Sequence, residues 1–395
     1  MPDLQALKQR ALAIIDALRD DLIRVSTEIH AHPELAFHEH RSAELLCSLL
    51  EEHGFSVQRG VGGLETAFRA EAQGAGDGPT IAILAEYDAL PELGHACGHN
   101  IIGTSAVAAG IAVKAVLDEL PGRVVVIGTP AEEGGGGKII LLERGVFSDV
   151  DAAMMVHPSS RTMVARTSLA SARLTVEFFG KASHAAAAPE DGINALEAVI
   201  LTFNNINALR LHLKPDARIH GIITHGGKAA NIIPDYAAAE FSVRAARRSY
   251  VQQVLERVIQ CAQAAELATG ARLKYVATPG YAEMIPNRVM ANVFAANWRA
   301  IGVEVHEPRA DERMGSTDMG NISQALPAIH PYLAIAPDGM AGHTVEFRAA
   351  SLSPAGHRGL LDAAKGMAMT TIDLLGNPEL MRAVKEEFAA SLARE

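Results

Sequence analysis

The hydrophobic pattern in the first part of the chain alternates short apolar runs with longer segments that have helical periodicity. The apolar runs predict strands over Thr66–Glu71, Thr80–Glu86, Val124–Thr129 and Ala152–His157. The longer segments predict helices over Leu4–His30, Arg41–His53, Gly103–Glu119 and Lys138–Arg144. Buried strands that alternate with helices are typical of an α/β layer with a largely parallel sheet.

The pattern changes near Ala172 and changes back near Tyr281. Between these points the sequence predicts a β-α-β-β-α-β order over Arg173–Gly180, Ile193–Leu211, Arg218–Thr224, Ala237–Ala245, Tyr250–Thr269 and Arg272–Thr278. This order is that of a ferredoxin-like α+β domain. The α/β alternation then resumes over Asn287–Ile301, Ile329–Ile335, Ser353–Leu375 and Pro378–Leu392. We therefore predict an α/β domain from residues 1–170 and 283–395, with a mixed, mostly parallel sheet, and a second domain inserted at 171–282.

Length and composition agree with two domains in a soluble protein. A chain of 395 residues exceeds the size at which a single core usually stops growing. Its 49% of hydrophobic and 21% of charged residues are ordinary for a globular protein. The formal net charge is −11, and Lys and Arg form no cluster, which argues against nucleic acid and anionic membranes as partners.

Three features of the sequence predict a cytoplasmic location. Cys47, Cys97 and Cys261 are far apart and odd in number, which argues against a disulfide framework and favours a reducing compartment. The first residues lack the basic start and apolar run of a signal peptide. The longest apolar stretch, 101–117, contains Lys114 and is rich in Gly and Ala, so we expect a buried helix there and no membrane span.

Polar residues that could perform chemistry come directly after predicted strands. Four separate segments contribute them: Glu86 with Asp88, Glu132 with Glu133, His157, and His343. In open α/β sheets, ligands bind beyond the carboxyl ends of the strands. Each residue taken singly is more often a solvated carboxylate or a surface histidine. The convergence of four segments on one edge favours a functional site.

Two of these segments have the chemistry of a metal site. Cys97 and His99 lie two positions apart between glycines, a spacing that suits a zinc-like ion, although a lone Cys-x-His is more often explained by packing. Glu132 and Glu133 repel each other and need a cation or a shared proton, and four glycines follow them. The alternative is a flexible polar turn. The set sufficient for one or two ions is Cys97, His99, Glu133, His157 and His343.

The motifs taken together resemble metallopeptidase family 20, in the amidohydrolase subfamily that includes hippurate hydrolases and indole-acetyl-amino-acid hydrolases. The resemblance is greatest to the branch of the p-aminobenzoyl-glutamate hydrolases and the β-alanyl-dipeptide hydrolases. It extends over nearly the whole chain. The motifs that carry it are His32-Pro33-Glu34-Leu35, Asp88-Ala89-Leu90-Pro91, His95-Ala96-Cys97-Gly98-His99, Pro130-Ala131-Glu132-Glu133, His157-Pro158, Ser183-His184-Ala185, Asn231-Ile232-Ile233-Pro234, Gly315-Ser316-Thr317-Asp318 and Gly342-His343-Thr344.

The resemblance implies a role for each matching residue. The residues that match the family's ligands for two divalent ions, Zn or Mn and also Co, are Cys97, His99, Glu133, His157 and His343. Glu132 matches the general base, and Asp88 matches the acid that orients a metal-binding imidazole. His184 matches a residue that reaches a neighbouring subunit's site to steady the oxyanion, and Asn231 and Arg244 match positions that hold the substrate's carboxylate.

Three positions depart from what many subfamily members carry. Asn100 stands in place of Asp and Thr317 in place of Glu, as in the p-aminobenzoyl-glutamate hydrolase branch. Glu86 stands where other branches place a metal-binding His, and we leave it out of the ligand set. The roles of Glu86 and His225 stay open at this point.

The resemblance implies metal-assisted hydrolysis of the amide bond of an N-acyl amino acid or a dipeptide with a free carboxylate. It also implies a metallopeptidase catalytic domain and a homodimer formed through the inserted domain, with the helix Ile193–Leu211 on the dimer surface. Three alternatives stand beside this: a hippurate-type aminoacylase, a metal-binding relative without turnover, and a scaffold that uses the inserted domain for dimerisation only.

Overall fold

The computed structural model describes residues 2–309, 312 and 314–393. The chain forms two compact units. The larger unit is drawn from Met1–Thr167, Met284–Arg313 and Asn321–Glu395, and the inserted unit from Ser168–Glu283 and Met314–Gly320. Compactness does not show that either unit folds alone, so the domains at 1–170 with 283–395 and at 171–282 stay a prediction.

Strands and helices are numbered along the whole chain. The strands are β1 Ser56–Arg59, β2 Phe68–Gln73, β3 Thr80–Ala85, β4 Arg123–Gly128, β5 Ala152–Met154, β6 His157–Ser159, β7 Ala170–Phe179, β8 Arg218–His225, β9 Tyr236–Ala245, β10 Arg272–Pro279, β11 Ala328–Ile329 and β12 Tyr332–Ala334. The α-helices are α1 Leu4–Ala17, α2 Arg19–Ala31, α3 His40–Glu52, α4 His99–Lys114, α5 Gly137–Glu143, α6 Ala195–Arg210, α7 Arg248–Thr269, α8 Arg288–Ala300, α9 Met319–Ala325, α10 Val345–Ala350, α11 Pro354–Gly376 and α12 Pro378–Leu392.

The main sheet of the larger unit has the strand order β1-β2-β4-β3-β5-β11. β3 runs parallel to both β4 and β5, and β5 runs parallel to β11. β1 and β2 form an antiparallel edge. Every residue of β3 is buried, as expected for a central parallel strand. The prediction of a mixed, mostly parallel sheet is confirmed.

Several predicted boundaries are wrong. The strands predicted at Ala152–His157 and Ile329–Ile335 are each divided, and their second parts, β6 and β12, pair in a separate parallel ladder. Pro331 lies at the second division, where proline cannot donate a ladder hydrogen bond. The helix predicted at Leu4–His30 is two helices, because the chain breaks at Leu18. The short edge strand β1 was not predicted.

The core of the larger unit surrounds α4, which is buried on nearly all sides. Its small residues allow close packing: a Cβ at Gly110 would lie 2.4 Å from Val126 Cγ2. The helix begins at His99, four residues before the predicted start, directly after Gly98 in the left-handed conformation (φ 79°). Among the described residues, no helix combines the length and apolar character that crossing a bilayer requires.

The inserted unit has the chain order β7-α6-β8-β9-α7-β10 and an antiparallel sheet of order β10-β7-β9-β8. Its core is formed by the buried positions of the strands and of α6 and α7. Asn194 caps α6, its side chain accepting the N–H groups of Leu196 and Glu197. The predicted ferredoxin-like arrangement is confirmed.

Candidate metal centre

The carboxyl ends of the parallel strands bring the predicted residues to one edge of the main sheet. Asp88 follows β3, Glu132 and Glu133 follow β4, and His157 follows β5. Because parallel strands end on the same side, these side chains converge although the segments are far apart in sequence. His343 comes from the loop before α10 and Cys97 from the turn before α4.

The five predicted ligands lie within a few ångströms of one another. Cys97 Sγ is 3.4 Å from Nε2 of His157 and 3.4 Å from Nε2 of His343. Glu133 Oε1 lies 3.5 Å from His343 Nε2 and 3.8 Å from His99 Nε2. Thiol, imidazole and carboxylate groups thus face a common centre.

The donor atoms form overlapping sets that fit divalent metal ions. The donors of Cys97, His99 and His157, and those of Cys97, Glu133 and His343, each lie within 4.8 Å of one another. His99 Nε2 and Glu133 Oε1 are buried and have no hydrogen-bond partner among the described residues. Buried polar atoms normally have a partner, and a metal ion bound by this soft and borderline donor set would supply it.

Asp88 holds two parts of the centre in place. Its Oδ1 lies 3.0 Å from His99 Nδ1, and its Oδ2 accepts the backbone N–H of Glu133 at 2.9 Å. Burial opposes the charged forms of Asp88 and His99, but their mutual attraction outweighs it, lowering the pKa of Asp88 and raising that of His99 above their ordinary values. With Nδ1 held by Asp88, the Nε2 atom of His99 is directed to the ligand cluster.

His157 is prepared as a neutral ligand. Its Nδ1 lies 2.6 Å from the carbonyl oxygen of Pro158, which leaves Nε2 towards Cys97. Burial lowers the pKa of His157 to about 4, so the imidazole is unprotonated near neutral pH. Burial raises the pKa of the Cys97 thiol, and metal binding must therefore displace its proton.

The sequence did not point to Lys138, and it left Glu86 out of the ligand set. Lys138 Nζ pairs with Glu86 Oε1, and both side chains are buried. The other carboxylate oxygen, Oε2, lies 3.4 Å from His99 Nε2. Glu86 could have been noticed because it ends a wholly apolar run, whereas nothing marks a lysine after four glycines as buried.

Two aromatic residues beside His157 were also missed. The rings of His330 and Tyr332 lie 5.6 Å and 5.5 Å from the His157 ring, between centroids. The guanidinium of Arg166 lies 4.5 Å from the centre of the Tyr332 ring. These contacts fix the orientation of the His157 imidazole.

The other predicted site residues belong to the inserted unit. His184 Nδ1 accepts the N–H groups of Ala186 and Ala187, both at 3.2 Å. Asn231 is next to it, because its carbonyl oxygen accepts the N–H of Ala185 at 3.0 Å. Arg244 lies on β9, and its Nε is buried without a hydrogen-bond partner among the described residues. The ring of His225 packs against Tyr236, with 5.1 Å between centroids.

A thiol, imidazole and carboxylate cluster at the carboxyl edge of a mixed α/β sheet defines a metal-dependent hydrolase. Residues 82–357 match the profile of peptidase family M20/M25/M40. The chain belongs to this family, and the predicted resemblance and hydrolase class are confirmed.

Individual relatives agree with the family assignment. The chain is 40% identical over 409 residues to the Xaa-Arg dipeptidase of Mus musculus, covering 100% of this chain and 94% of the relative. It is 32% identical over 449 residues to a p-aminobenzoyl-glutamate hydrolase of Escherichia coli (strain K12), covering 94% and 93%. A Bacillus subtilis structure described as a dinuclear metal binding peptidase from the M20 family has a TM-score of 0.72 at 23% identity, covering 91% of this chain and 99% of that chain. The last similarity shows a common fold.

Proposed function

We propose that this enzyme hydrolyses the amide bond of dipeptides or N-acyl amino acids that carry a free carboxylate. The observation that carries the proposal is the cluster of donors around two buried atoms, His99 Nε2 and Glu133 Oε1, that have no hydrogen-bond partner among the described residues. The residues that would hold two divalent ions, Zn or Mn and also Co, are Cys97, His99, Glu133, His157 and His343. The similarity to a dipeptidase and to a p-aminobenzoyl-glutamate hydrolase supports the substrate class.

The chain's own residues divide the work of amide hydrolysis. Bound ions would make a water more acidic and polarise the scissile carbonyl. Glu132 accepts the proton of the attacking water and passes it to the leaving amine. Asp88 keeps His99 oriented, and His184 donates a hydrogen bond to the oxyanion. Asn231 and Arg244 bind the free carboxylate, for which the planar guanidinium is well shaped.

Glu132→Gln tests the central assignment. We expect an unchanged metal content and a fall in kcat of about 10²–10⁴-fold, because the amide cannot take up the proton. Glu143→Gln, an exposed carboxylate on α5, is the matched control and should retain full activity. A Glu132→Gln enzyme with the kcat of the unaltered protein would overturn the role of Glu132.

A substrate panel distinguishes the proposal from a hippurate-type aminoacylase. It would compare Xaa-Arg dipeptides, β-alanyl dipeptides, p-aminobenzoyl-glutamate and hippurate, with each metal in turn after removal by a chelator. Loss of activity on chelation and recovery with Zn²⁺ or Mn²⁺ is expected. A higher kcat/KM for hippurate than for any dipeptide would favour the aminoacylase, and no turnover of any substrate would favour an inactive relative.

We also propose a homodimer formed through the inserted unit, in which His184 of one subunit serves the site of the other. β8 is an edge strand of its sheet, and its Ile222 is 64% exposed, a solvent-facing apolar residue that pairing would cover. Mixing His184→Ala subunits with Arg244→Ala subunits should partly restore activity. No restoration in a mixture shown to exchange subunits would place the site within one chain and support dimerisation without sharing.

The cytoplasm is the proposed location, since a thiol ligand must stay reduced. Cys47, Cys97 and Cys261 are free thiols, and Cys47 is buried. Fractionation of the cells that produce the protein, with activity measured in each fraction, tests this. Activity confined to an oxidising compartment would contradict it.

A further inference from the structure

The segment just before α3 makes a specific contact with the loop that carries Glu132 and Glu133. Glu39, at the end of this segment, is completely buried. Its Oε1 accepts the backbone N–H of Ala131 at 2.9 Å, and its Oε2 accepts the hydroxyl of Thr66 at 2.9 Å. A buried carboxylate more than ninety positions earlier in the chain thus holds the residue directly before Glu132.

The backbone is held on both sides of Glu132 by separate carboxylates. Glu39 accepts the N–H of Ala131, and Asp88 accepts the N–H of Glu133. Ala131 has φ 62°, a left-handed conformation that costs a non-glycine residue free energy and persists only where its surroundings impose it. The hydrogen bond from Ala131 to Glu39 is one such constraint, so it helps to fix the direction in which Glu132 leaves the loop.

The segment also packs against the glycines that follow Glu133. A Cβ at Gly135 would lie 2.3 Å from Cε2 of Phe37, so the ring rests directly on the loop backbone. The loop is closed on itself as well, since the carbonyl of Ala131 accepts the N–H groups of Gly135 at 3.0 Å and Gly136 at 2.8 Å. The glycines therefore form a defined turn with Phe37 against it.

The segment is itself anchored to the end of β3. The carbonyl of Glu34 accepts the N–H of Ala89 at 2.8 Å, next to Asp88. The hydroxyl of Tyr87 donates to the carbonyl of Thr66 at 2.6 Å, which ties the second partner of Glu39 to the same strand end. Glu39 is thus fixed relative to the edge that carries Asp88.

We propose that Glu39 is a positioning residue for the general base, acting through the N–H of Ala131 to set the place of Glu132 relative to the metal ligands. The inference rests on the proposed role of Glu132. Glu39 itself touches neither substrate nor metal. Its contribution is geometric, and small displacements of a catalytic group have large effects on rate.

The test compares Glu39→Leu with Glu39→Gln in the full-length, metal-loaded enzyme. Leu leaves the N–H of Ala131 without its acceptor, so we expect kcat to fall about 10- to 100-fold. KM should stay within about threefold, because substrate binding is not addressed. Gln can accept the N–H of Ala131 through its amide oxygen and donate to the Thr66 hydroxyl, and it should restore kcat to nearly the original value.

Metal content and fraction folded are measured for each variant, so that kcat refers to folded, loaded molecules. If Glu39→Leu does not fold, Thr66→Val decides the matter: it removes one partner of Glu39 and should lower kcat about threefold or more. The inference is overturned if folded Glu39→Leu, or Thr66→Val in its place, has the original kcat. It is also overturned if Glu39→Gln loses as much as Glu39→Leu.

Glu132→Gln is measured in parallel to keep the two ideas apart. If Glu132→Gln is fully active, the proposed function fails whatever Glu39 does. If Glu132→Gln is inactive and Glu39→Leu is fully active, only the positioning role fails.

Discussion

Asp88 and His99 are in contact at 3.0 Å between Oδ1 and Nδ1, in a fully buried position. The same carboxylate accepts the backbone N–H of Glu133 through its other oxygen. One side chain therefore orients a proposed metal ligand from each of two segments, which come after different elements of the fold.

Asp88→Asn should weaken metal binding about 10- to 100-fold, the usual effect of removing the partner of a metal-binding histidine. The amide has one oxygen, so it cannot accept from both His99 and the N–H of Glu133. Competition with a chromophoric chelator measures the affinity. Asp77→Asn, in an exposed loop, is the control and should bind as the unaltered protein does. Equal affinities for both variants would contradict the orienting role of Asp88.

Lys138→Met should destabilise the folded protein by about 3–5 kcal/mol, because it leaves the buried carboxylate of Glu86 without its partner. Urea unfolding measures the change. Adding Glu86→Gln should recover much of the loss, since the uncompensated charge is then removed. Lys385→Met breaks an exposed ion pair with Asp151 and should cost at most about 1 kcal/mol. A loss for Lys138→Met no larger than that of the control would show that the buried pair is unimportant.

The pH dependence of stability should carry a contribution from Glu39. Burial, together with the charge of Asp88, raises the pKa of Glu39 from 4.5 to about 7. Between these values the folded protein keeps a proton that the unfolded chain releases. The resulting stability, at most about 3 kcal/mol, is fully present below pH 4.5, falls as the pH rises, and is lost above about pH 7.

Glu39→Gln cannot ionise and should lack this slope. Unfolding free energies of both proteins, measured without metal at pH values on either side of the interval, give the difference that isolates Glu39. Parallel curves for the two proteins would mean that Glu39 has an ordinary pKa.

Gly137→Ala should disrupt the start of α5, because a Cβ there would lie 1.8 Å from the backbone oxygen of Pro130. A backbone atom cannot move aside cheaply, so we expect a loss of about 3 kcal/mol or more in unfolding free energy. Gly134→Ala, three residues away in the same loop, is the matched control. Its Cβ would be 3.8 Å from the Cβ of Ala36, an ordinary contact. Thermal unfolding of the two variants decides, and similar midpoints would contradict the steric account.

The fold was largely predictable because hydrophobic periodicity reports on local structure. The fully apolar run of β3 predicted a buried parallel strand, and the alternation beyond Ala172 predicted the ferredoxin-like unit. What periodicity could not predict were the places where a chain leaves one ladder for another, as between β5 and β6. Those divisions depend on long-range pairing partners.

The candidate site was predictable where its chemistry is unusual in a sequence, as for Cys97 and the pair Glu132 and Glu133. Lys138 and Glu39 were missed for a physical reason. Lysine and glutamate are almost always exposed unless a partner stabilises them, and their partners here, Glu86 and the N–H of Ala131, lie far away in the sequence. Only the folded arrangement shows these pairs.

The contact between Cys97 and His343 joins positions 246 residues apart. An ion held by both would act as a cross-link that closes a very long loop, and such a constraint removes much of the freedom of the unfolded chain. Because only the folded chain assembles the donors, the free energy of metal binding adds to that of folding. Scarcity of the metal would therefore shorten the lifetime of the protein as well as silence its chemistry, and the amount of enzyme in a cell would follow its metal supply.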